Sequence, residues 1–462
     1  MARTLELSAS QLVCSVLALL VSTFIIKLVR HRSAWRALNL PGPPHSFLWG
    51  SLQVLGEHRG RMPRDASIDY TALSLAKEYG TLSYFDLWPF SLSMCIVADP
   101  TLADKICRQD NLPKCLQVMY FDFAVLGSES ILLADSDEAG QAHWRSVRTA
   151  FNSGFRKGQL EETWTGDIAA YVGEFGKRLE ERVQDGRVFF LVDYVMELTA
   201  DIILKVVLSS DDRIMRKRIM AILADQLRNA AGAHSMFPLM DTLDPVRRWR
   251  ECRNERVINN ELRILVEDHL MANAVGDVKK EKKDILDRAL STTVLSWTFY
   301  HLAAQPDIQL KLQDELNRVF GHETEAASQV TADPTILSQL TYTNAVLKET
   351  LRMYPPAAAV RKPPRDYTVC YKEQTYAHGP PLFFLINHYA MHRHPDIWDE
   401  PDVFKPERWL DDKGNAIPTP HSFQPFSKGP RDCIGRELAL LEQRIILAMT
   451  VGMISTASDI QP

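Results

Sequence analysis

Phe426-Ser427-Lys428-Gly429-Pro430-Arg431-Asp432-Cys433-Ile434-Gly435 puts one cysteine in a loop of glycine and proline that opens at once into a helix. Leu438, Leu441, Ile445 and Met449 follow at i, i+3, i+7 and i+11, so the helix beginning near Ile434 buries one face. Its first N–H groups point back at Cys433, and with the helix dipole they stabilise a negative sulfur that can ligate a metal. Gly429 and Gly435 have no Cβ and let a flat cofactor lie against backbone, while Arg431 can meet an anionic edge of that cofactor. The alternative reading is a buried structural cysteine.

Outward from the loop, Phe404-Lys405-Pro406-Glu407-Arg408-Trp409 lies between it and a helix carrying Glu349 and Arg352 in Lys348-Glu349-Thr350-Leu351-Arg352. Taken alone, that i,i+3 pair reads as an ordinary surface ion pair. Far upstream, Trp144 and Arg148 stand at i and i+4 on one face of a helix. His388, His392 and His394 cluster near a strand end, but no H-x-x-x-H faces an acid on a helix, so they read as surface or supporting residues and not as a metal site.

The 462 residues are 46% hydrophobic and 24% charged, which excludes a mainly disordered chain, a collagen or a coiled coil. A net charge of -5 carries no basic excess, and no nucleic-acid partner is expected. Seven cysteines without C-x-x-C spacing argue against a disulfide framework or zinc ribbon and fit a reducing compartment. From Ala9 to Ile26 the chain is almost free of charge and then meets Lys27, Arg30, Arg32 and Arg36, the pattern of a retained single-pass anchor with the rest of the chain in the cytosol. Leu40-Pro41-Gly42-Pro43-Pro44 then breaks the helix. The organisation expected is an anchor over 1–30, a basic and Pro-rich hinge over 31–66, and one mostly helical domain over 67–462. On that division, removal of residues 1–36 leaves the remainder able to fold.

Amphipathic stretches near 101–109, 137–152, 161–183, 191–208, 212–231, 248–272, 284–304, 306–319, 341–354 and 434–449 supply the helices. Leu82 to Phe85 with Ser93 to Val97 reads as a hairpin, and Tyr367 to Val369 and Leu382 to Ile386 as further short strands. The fold class is therefore mainly α with small β-sheets.

The ten-residue pattern F-x-x-G-x-R-x-C-x-G, from Phe426 to Gly435, resembles the haem-binding loop of the cytochrome P450 family. The resemblance implies a haem-thiolate fold behind an N-terminal transmembrane helix, with Cys433 as the proximal ligand whose thiolate pushes electron density toward the iron. It implies further that Arg408 joins Glu349 and Arg352 in a buried ionic network holding the Cys433 loop, that Trp144 and Arg148 bond a haem propionate, and that Arg361 is its second propionate partner. NADPH as electron source through a reductase, dioxygen, and a small lipophilic substrate follow from the same resemblance, which is nearest to microsomal members and to fungal secondary-metabolite monooxygenases of the endoplasmic reticulum membrane.

Two departures stand out. The family's central helix carries a Gly-x-acid-Thr relay for protons, and the segment from Asp284 to Tyr300 has no glycine. Ser291 and Thr292 match only the end of that motif and are the candidate catalytic hydroxyls, with Asp287 the nearest acid. In addition, 29 residues follow Cys433, too few for the family's last hairpin. These departures read as an internal deletion and an altered gene product. Beside the monooxygenase stand two rival expectations, a haem-binding but catalytically impaired paralogue, and an isomerase or dehydratase that does not use dioxygen.

Overall fold

The computed structural model describes residues 9–63, 66–115, 138–152, 154–186, 188–208, 286–321, 326–377 and 381–451, with short pieces between 245 and 260. In chain order the helices are α1 (Ala9–Ala37), α2 (Leu52–Gly60), α3 (Ile68–Tyr79), α4 (Pro100–Asp104, prolonged by a π-helical turn, Lys105–Gln109), α5 (Glu138–Asn152), α6 (Lys157–Asp185), α7 (Leu191–Leu208), α8 (Leu286–Ala304), α9 (Pro306–Phe320), α10 (Ala326–Ala332), α11 (Thr341–Met353), α12 (His388–His392) and α13 (Arg436–Thr450). The strands are β1 (Leu82–Phe85), β2 (Ser93–Val97), β3 (Ala359–Arg361), β4 (Thr368–Tyr371), β5 (Gln374–Ala377) and β6 (Leu382–Ile386). Expected helices over 212–231 and most of 248–272 lie outside the described residues, as does everything after Val451.

The chain forms two compact units, Met1–Val97 with Lys362–Leu385, and Ala98–Arg361 with Ile386–Pro462. In the first, β1 and β2 pair antiparallel from Leu82↔Val97 to Phe85↔Met94, and β6 lies beside β2. Every residue of β1 and β2 is buried, so the pair carries no alternation of polar and apolar side chains. The strand expected at 367–369 begins one residue later and forms a hairpin with β5, whose turn residues Lys372 and Glu373 both have positive φ, as a two-residue hairpin turn requires.

The hinge expected over 31–66 is structured. Helix α1 continues past Arg30 to Ala37, the Tyr84 N–H donates to the Pro41 carbonyl at 2.8 Å, and α2 occupies 52–60. The physical cause is Asp86, a fully buried carboxylate at the end of β1. It pairs with Arg32, with His31 Nε2 at 2.9 Å and with His45 Nε2 at 2.9 Å. Burial pushes the Asp86 carboxyl up, but hydrogen bonds from His31, His45 and Arg32 outweigh that and hold it well below the usual carboxylate range. The helix cannot stop at Arg30, because its next turn supplies Arg32 to this site. Removing residues 1–36 therefore strands a buried charge.

In the second unit α6 and α13 run together, as do α7 and α8, around a core that includes Leu160, Phe175, Leu295, Leu302, Val346, Leu441 and Ile445. The apolar stripe read from Leu438 onward is the face that α13 buries.

Candidate active site

Short turns close the loop around Cys433. The Ser427 N–H donates to the Gln424 carbonyl at 3.0 Å, Asp432 N–H to Gly429 at 3.1 Å, and Cys433 N–H to Phe426 at 3.0 Å. Gly435 then caps α13. Cys433 is partly exposed, whereas Cys107, whose backbone touches this loop, is buried, and burial pushes its thiol up so that it stays protonated. Gly429 has φ +84°, and a Cβ there would meet the Cys107 carbonyl oxygen at 2.3 Å and Arg108 Cα at 2.7 Å. The close approach that this glycine permits is thus between two stretches of backbone, where the sequence suggested a cofactor.

Helix α5 braces the loop from one side. Arg148 donates to the Asp432 carbonyl at 2.7 Å and to its carboxylate at 2.5 Å, and the Arg431 guanidinium lies 3.4 Å over the Trp144 ring. Trp144 and Arg148 therefore hold the two residues preceding Cys433. Arg361, at the end of β3, is buried, with Nε and Nη2 lacking hydrogen-bond partners. Its Nη1 donates to the Val360 carbonyl at 3.2 Å, and its charge acts on Cys107, which also senses the Ser427 hydroxyl, so a guanidinium with two unpartnered nitrogens stands beside the loop.

The carboxylate of Glu349 gathers five donors. Arg352 Nε and Nη2 each reach it at 2.9 Å, Arg408 Nε at 2.9 Å, the Lys405 N–H at 2.9 Å and Trp409 Nε1 at 3.0 Å. Glu349 and Arg352 are wholly buried, so this is no surface pair. Arg352 also bonds the carbonyls of His392 and Pro401, each at 2.8 Å, tying α11 to the segment that leads to the loop. At its other end α11 is capped from α9: the Glu315 carboxylate accepts from the Tyr342 N–H at 2.6 Å and the Thr343 N–H at 2.8 Å. Lys405 N–H, Trp409 and Glu315 escaped sequence reading; Trp409, adjacent to Arg408, was the signal within reach.

His388, His392 and His394 are buried, so of the two readings, surface or supporting, the first is corrected. His392 Nε2 accepts the Gln424 N–H at 3.0 Å and so helps shape the loop. His388 Nδ1 donates to the Ala357 carbonyl at 2.8 Å, and its Nε2 lacks a hydrogen-bond partner. Burial pushes its pKa down to about 4, the charge of Arg361 adding to the effect.

The candidate hydroxyls sit inside the helix bundle. Thr292 Oγ1 is 2.8 Å from Thr199 Oγ1 of α7, and Ser291 borders a cavity of about 20 Å³ shared with Thr199, Gly435 and Glu442. That volume has room for a single water. Residues 286–290 are helical, so the backbone continues upstream of Ser291, but the side chain of Asp287 lies outside the described residues.

Residues 291–453 match the family model described as Cytochrome P450. That match begins at Ser291, where the sequence places the end of the missing relay motif. The cytochrome P450 monooxygenase polC of Polytolypa hystricis is 27% identical over 96% of this chain and 86% of its own length. The cytochrome P450 monooxygenase acrF of Aspergillus aculeatus is 27% identical over 85% of this chain and 88% of its own. Cytochrome P450 4A10 of Mus musculus is 32% identical over a shorter stretch, 38% of this chain and 33% of its own. With the Cys433 loop and a mainly helical fold already in place, these relationships make the chain a P450-type enzyme and a member of the cytochrome P450 family.

Proposed function

We propose that the chain is a membrane-anchored haem-thiolate monooxygenase that inserts one oxygen atom of O2 into a small lipophilic substrate in secondary-metabolite biosynthesis. Its electrons come from NADPH through a reductase, and it resides in the endoplasmic reticulum membrane with its catalytic part cytosolic. The observation that carries this reading is the partly exposed Cys433 just before α13, beside a buried guanidinium whose Nε and Nη2 have no acceptor. A porphyrin edge bearing carboxylates would satisfy Arg361 Nε and Nη2, and a soft sulfur suits iron, so these residues fit a haem.

Haem, when bound, supplies the redox-active iron on which oxygen insertion depends. The protein's part is to hold it. Cys433 would ligate the iron, and the first turn of α13 would stabilise its thiolate. Arg361 would receive an anionic edge. Arg148 and Trp144 fix the loop through Asp432 and Arg431, leaving the cysteine little freedom to swing away. The five donors on Glu349 keep the segment behind the loop rigid, a structural contribution.

Proton supply favours a second reading, that of a haem binder with impaired turnover. Thr292 already shares its hydroxyl with Thr199, and Ser291 faces a cavity for one water. A positioned acid or base typically contributes about 10²- to 10⁴-fold in rate. The test is optical and kinetic. Cys433→Ala should abolish the red-shifted Soret band of the reduced carbonyl complex, and retention of that band refutes the assignment. Product formed in step with NADPH consumption favours the monooxygenase, whereas NADPH oxidised to yield peroxide favours the impaired form.

A further inference from the structure

We propose that His388 is a positioning residue for the haem: as a neutral hydrogen-bond acceptor it holds a water that donates to the same carboxylate that Arg361 takes. The proposal rests on the reading of Cys433 and Arg361 as haem-binding residues. Arg361 and His388 are each 2% exposed, and each carries polar atoms without a hydrogen-bond partner. Their open atoms are of opposite kinds. Arg361 offers two donors, Nε–H and Nη2–H, while its Nη1 is occupied by the Val360 carbonyl at 3.2 Å. His388 offers a lone pair.

The open edge of Arg361 is the one that grips both oxygens of a carboxylate. Arg352 uses the same two nitrogens on Glu349, each at 2.9 Å. On His388 the tautomer is set by the Ala357 carbonyl, which can only accept: Nδ1 carries the hydrogen, at 2.8 Å, and Nε2 is a bare lone pair. The ring stays neutral, because burial holds its pKa down at about 4 and the Arg361 charge adds to the effect, against the bond to Ala357. A lone pair and a carboxylate oxygen repel each other, so the carboxylate on Arg361 does not bond Nε2 directly. The Arg361 charge also keeps that group ionised, which rules out a carboxylic acid as the donor. A water resolves the mismatch by giving one hydrogen to Nε2 and the other to the carboxylate.

The neighbouring histidine supplies what such a water still needs. His392 Nε2 accepts the Gln424 N–H at 3.0 Å, so its Nδ1 carries the hydrogen, and that buried N–H has no partner. The two rings lie 6.3 Å apart, close to the span of one water with two hydrogen bonds of about 2.9 Å. Accepting from His392 and donating to His388 and the carboxylate, the water makes three bonds, the usual number for a buried one. Because Ala357 stands four residues before Arg361, its bond to His388 also fastens α12 to the chain leading into β3. A neutral anchor strengthens the hold on the carboxylate without placing a second cation beside Arg361. The donated hydrogen withdraws negative charge from the carboxylate and so favours the reduced haem.

Resonance Raman spectroscopy and redox titration of the full-length holoprotein test the proposal with His388→Asn and His388→Gln. Asn keeps an amide N–H for Ala357 but has no atom where Nε2 stood, whereas Gln supplies both the donor and an acceptor. The expected result for His388→Asn is a propionate bending band at lower frequency and a shift of about threefold to tenfold toward ferric haem, roughly 30–60 mV at 59 mV per tenfold. His388→Gln should stay close to the native protein in both. An unchanged band and potential in His388→Asn, with the red-shifted Soret band of the reduced carbonyl complex intact, overturn the proposal and leave the haem reading standing. If His388→Asn fails to retain haem, 15N NMR of the native protein's histidines in the diamagnetic reduced carbonyl complex decides, with His388→Gln identifying the signal. A hydrogen-bonded Nε2 supports the proposal, and a free lone pair overturns it. A native chain without the red-shifted Soret band removes the haem reading and the proposal together.

Discussion

Replacing Trp409 by Phe removes one of the five donors on Glu349 while keeping an aromatic ring in place. The bond lost runs to a buried carboxylate, and hydrogen bonds to charged groups contribute roughly 1.5–3 kcal/mol. Glu349→Gln acts differently. It takes the charge from between Arg352 and Arg408, and breaking a buried ion pair costs about 3–5 kcal/mol. In the Gln background the indole N–H faces a neutral amide, whose bond is worth only about 0.5–1.5 kcal/mol, so Trp409→Phe should cost about 1 kcal/mol less there than in the native chain. Urea unfolding of the native protein, both single variants and the double variant, followed by circular dichroism, gives the four values of the cycle. Additivity within about 0.5 kcal/mol would show that indole and carboxylate act independently, and would sink the reasoning.

Truncation through Ile26 should leave a folded protein, whereas truncation through Arg36 removes Arg32 and His31 from Asp86 and should cost about 3–5 kcal/mol, read from urea midpoints. Gly429→Ala combines a positive φ with a 2.3 Å approach to the Cys107 carbonyl oxygen, and should diminish the red-shifted carbonyl band and increase proteolysis at the loop; an unchanged spectrum would count against the packing described. His388 has a depressed folded pKa of about 4, so the unfolded chain takes up its proton first as pH falls from 6.5, and stability drops by about 3 kcal/mol by pH 4. His388→Gln should flatten that part of the stability profile. Thr292→Ala should lower stability by about 1 kcal/mol through the loss of the Thr199 bond while leaving the rate of product formation unchanged; a large fall in rate with stability intact would restore Thr292 as a relay.

The sequence was most legible where a pattern is local. The hairpin strands β1 and β2 fall at the expected bounds, and the stripe from Leu438 marks the buried face of α13. Spacing alone puts Glu349 and Arg352 on one helix face, but the donation from Lys405 N–H comes from backbone and leaves no trace in residue identity. Strand β5 was missed because its residues are mostly exposed and carry no apolar alternation. The continuation of α1 was hidden by its own charges. Arg32 looks like a residue in water until Asp86, 54 positions later, is brought to it. The burial of the three histidines was equally hidden, since their partners are carbonyls, backbone N–H groups and rings from distant segments.

Helix α11 is pinned at both ends, by the Glu315 carboxylate at Tyr342 and by Arg408 and Trp409 at Glu349. The stretch between the pins behaves as a gauge of fixed length. One residue added there would turn Glu349 by about 100° and carry it about 1.5 Å along the axis, so it could no longer face its donors. Residues of similar size can be exchanged along this stretch, but its count of residues cannot change while both ends stay engaged. Insertions and deletions introduced one at a time between Asn344 and Lys348 should therefore be far more damaging than substitutions at the same positions.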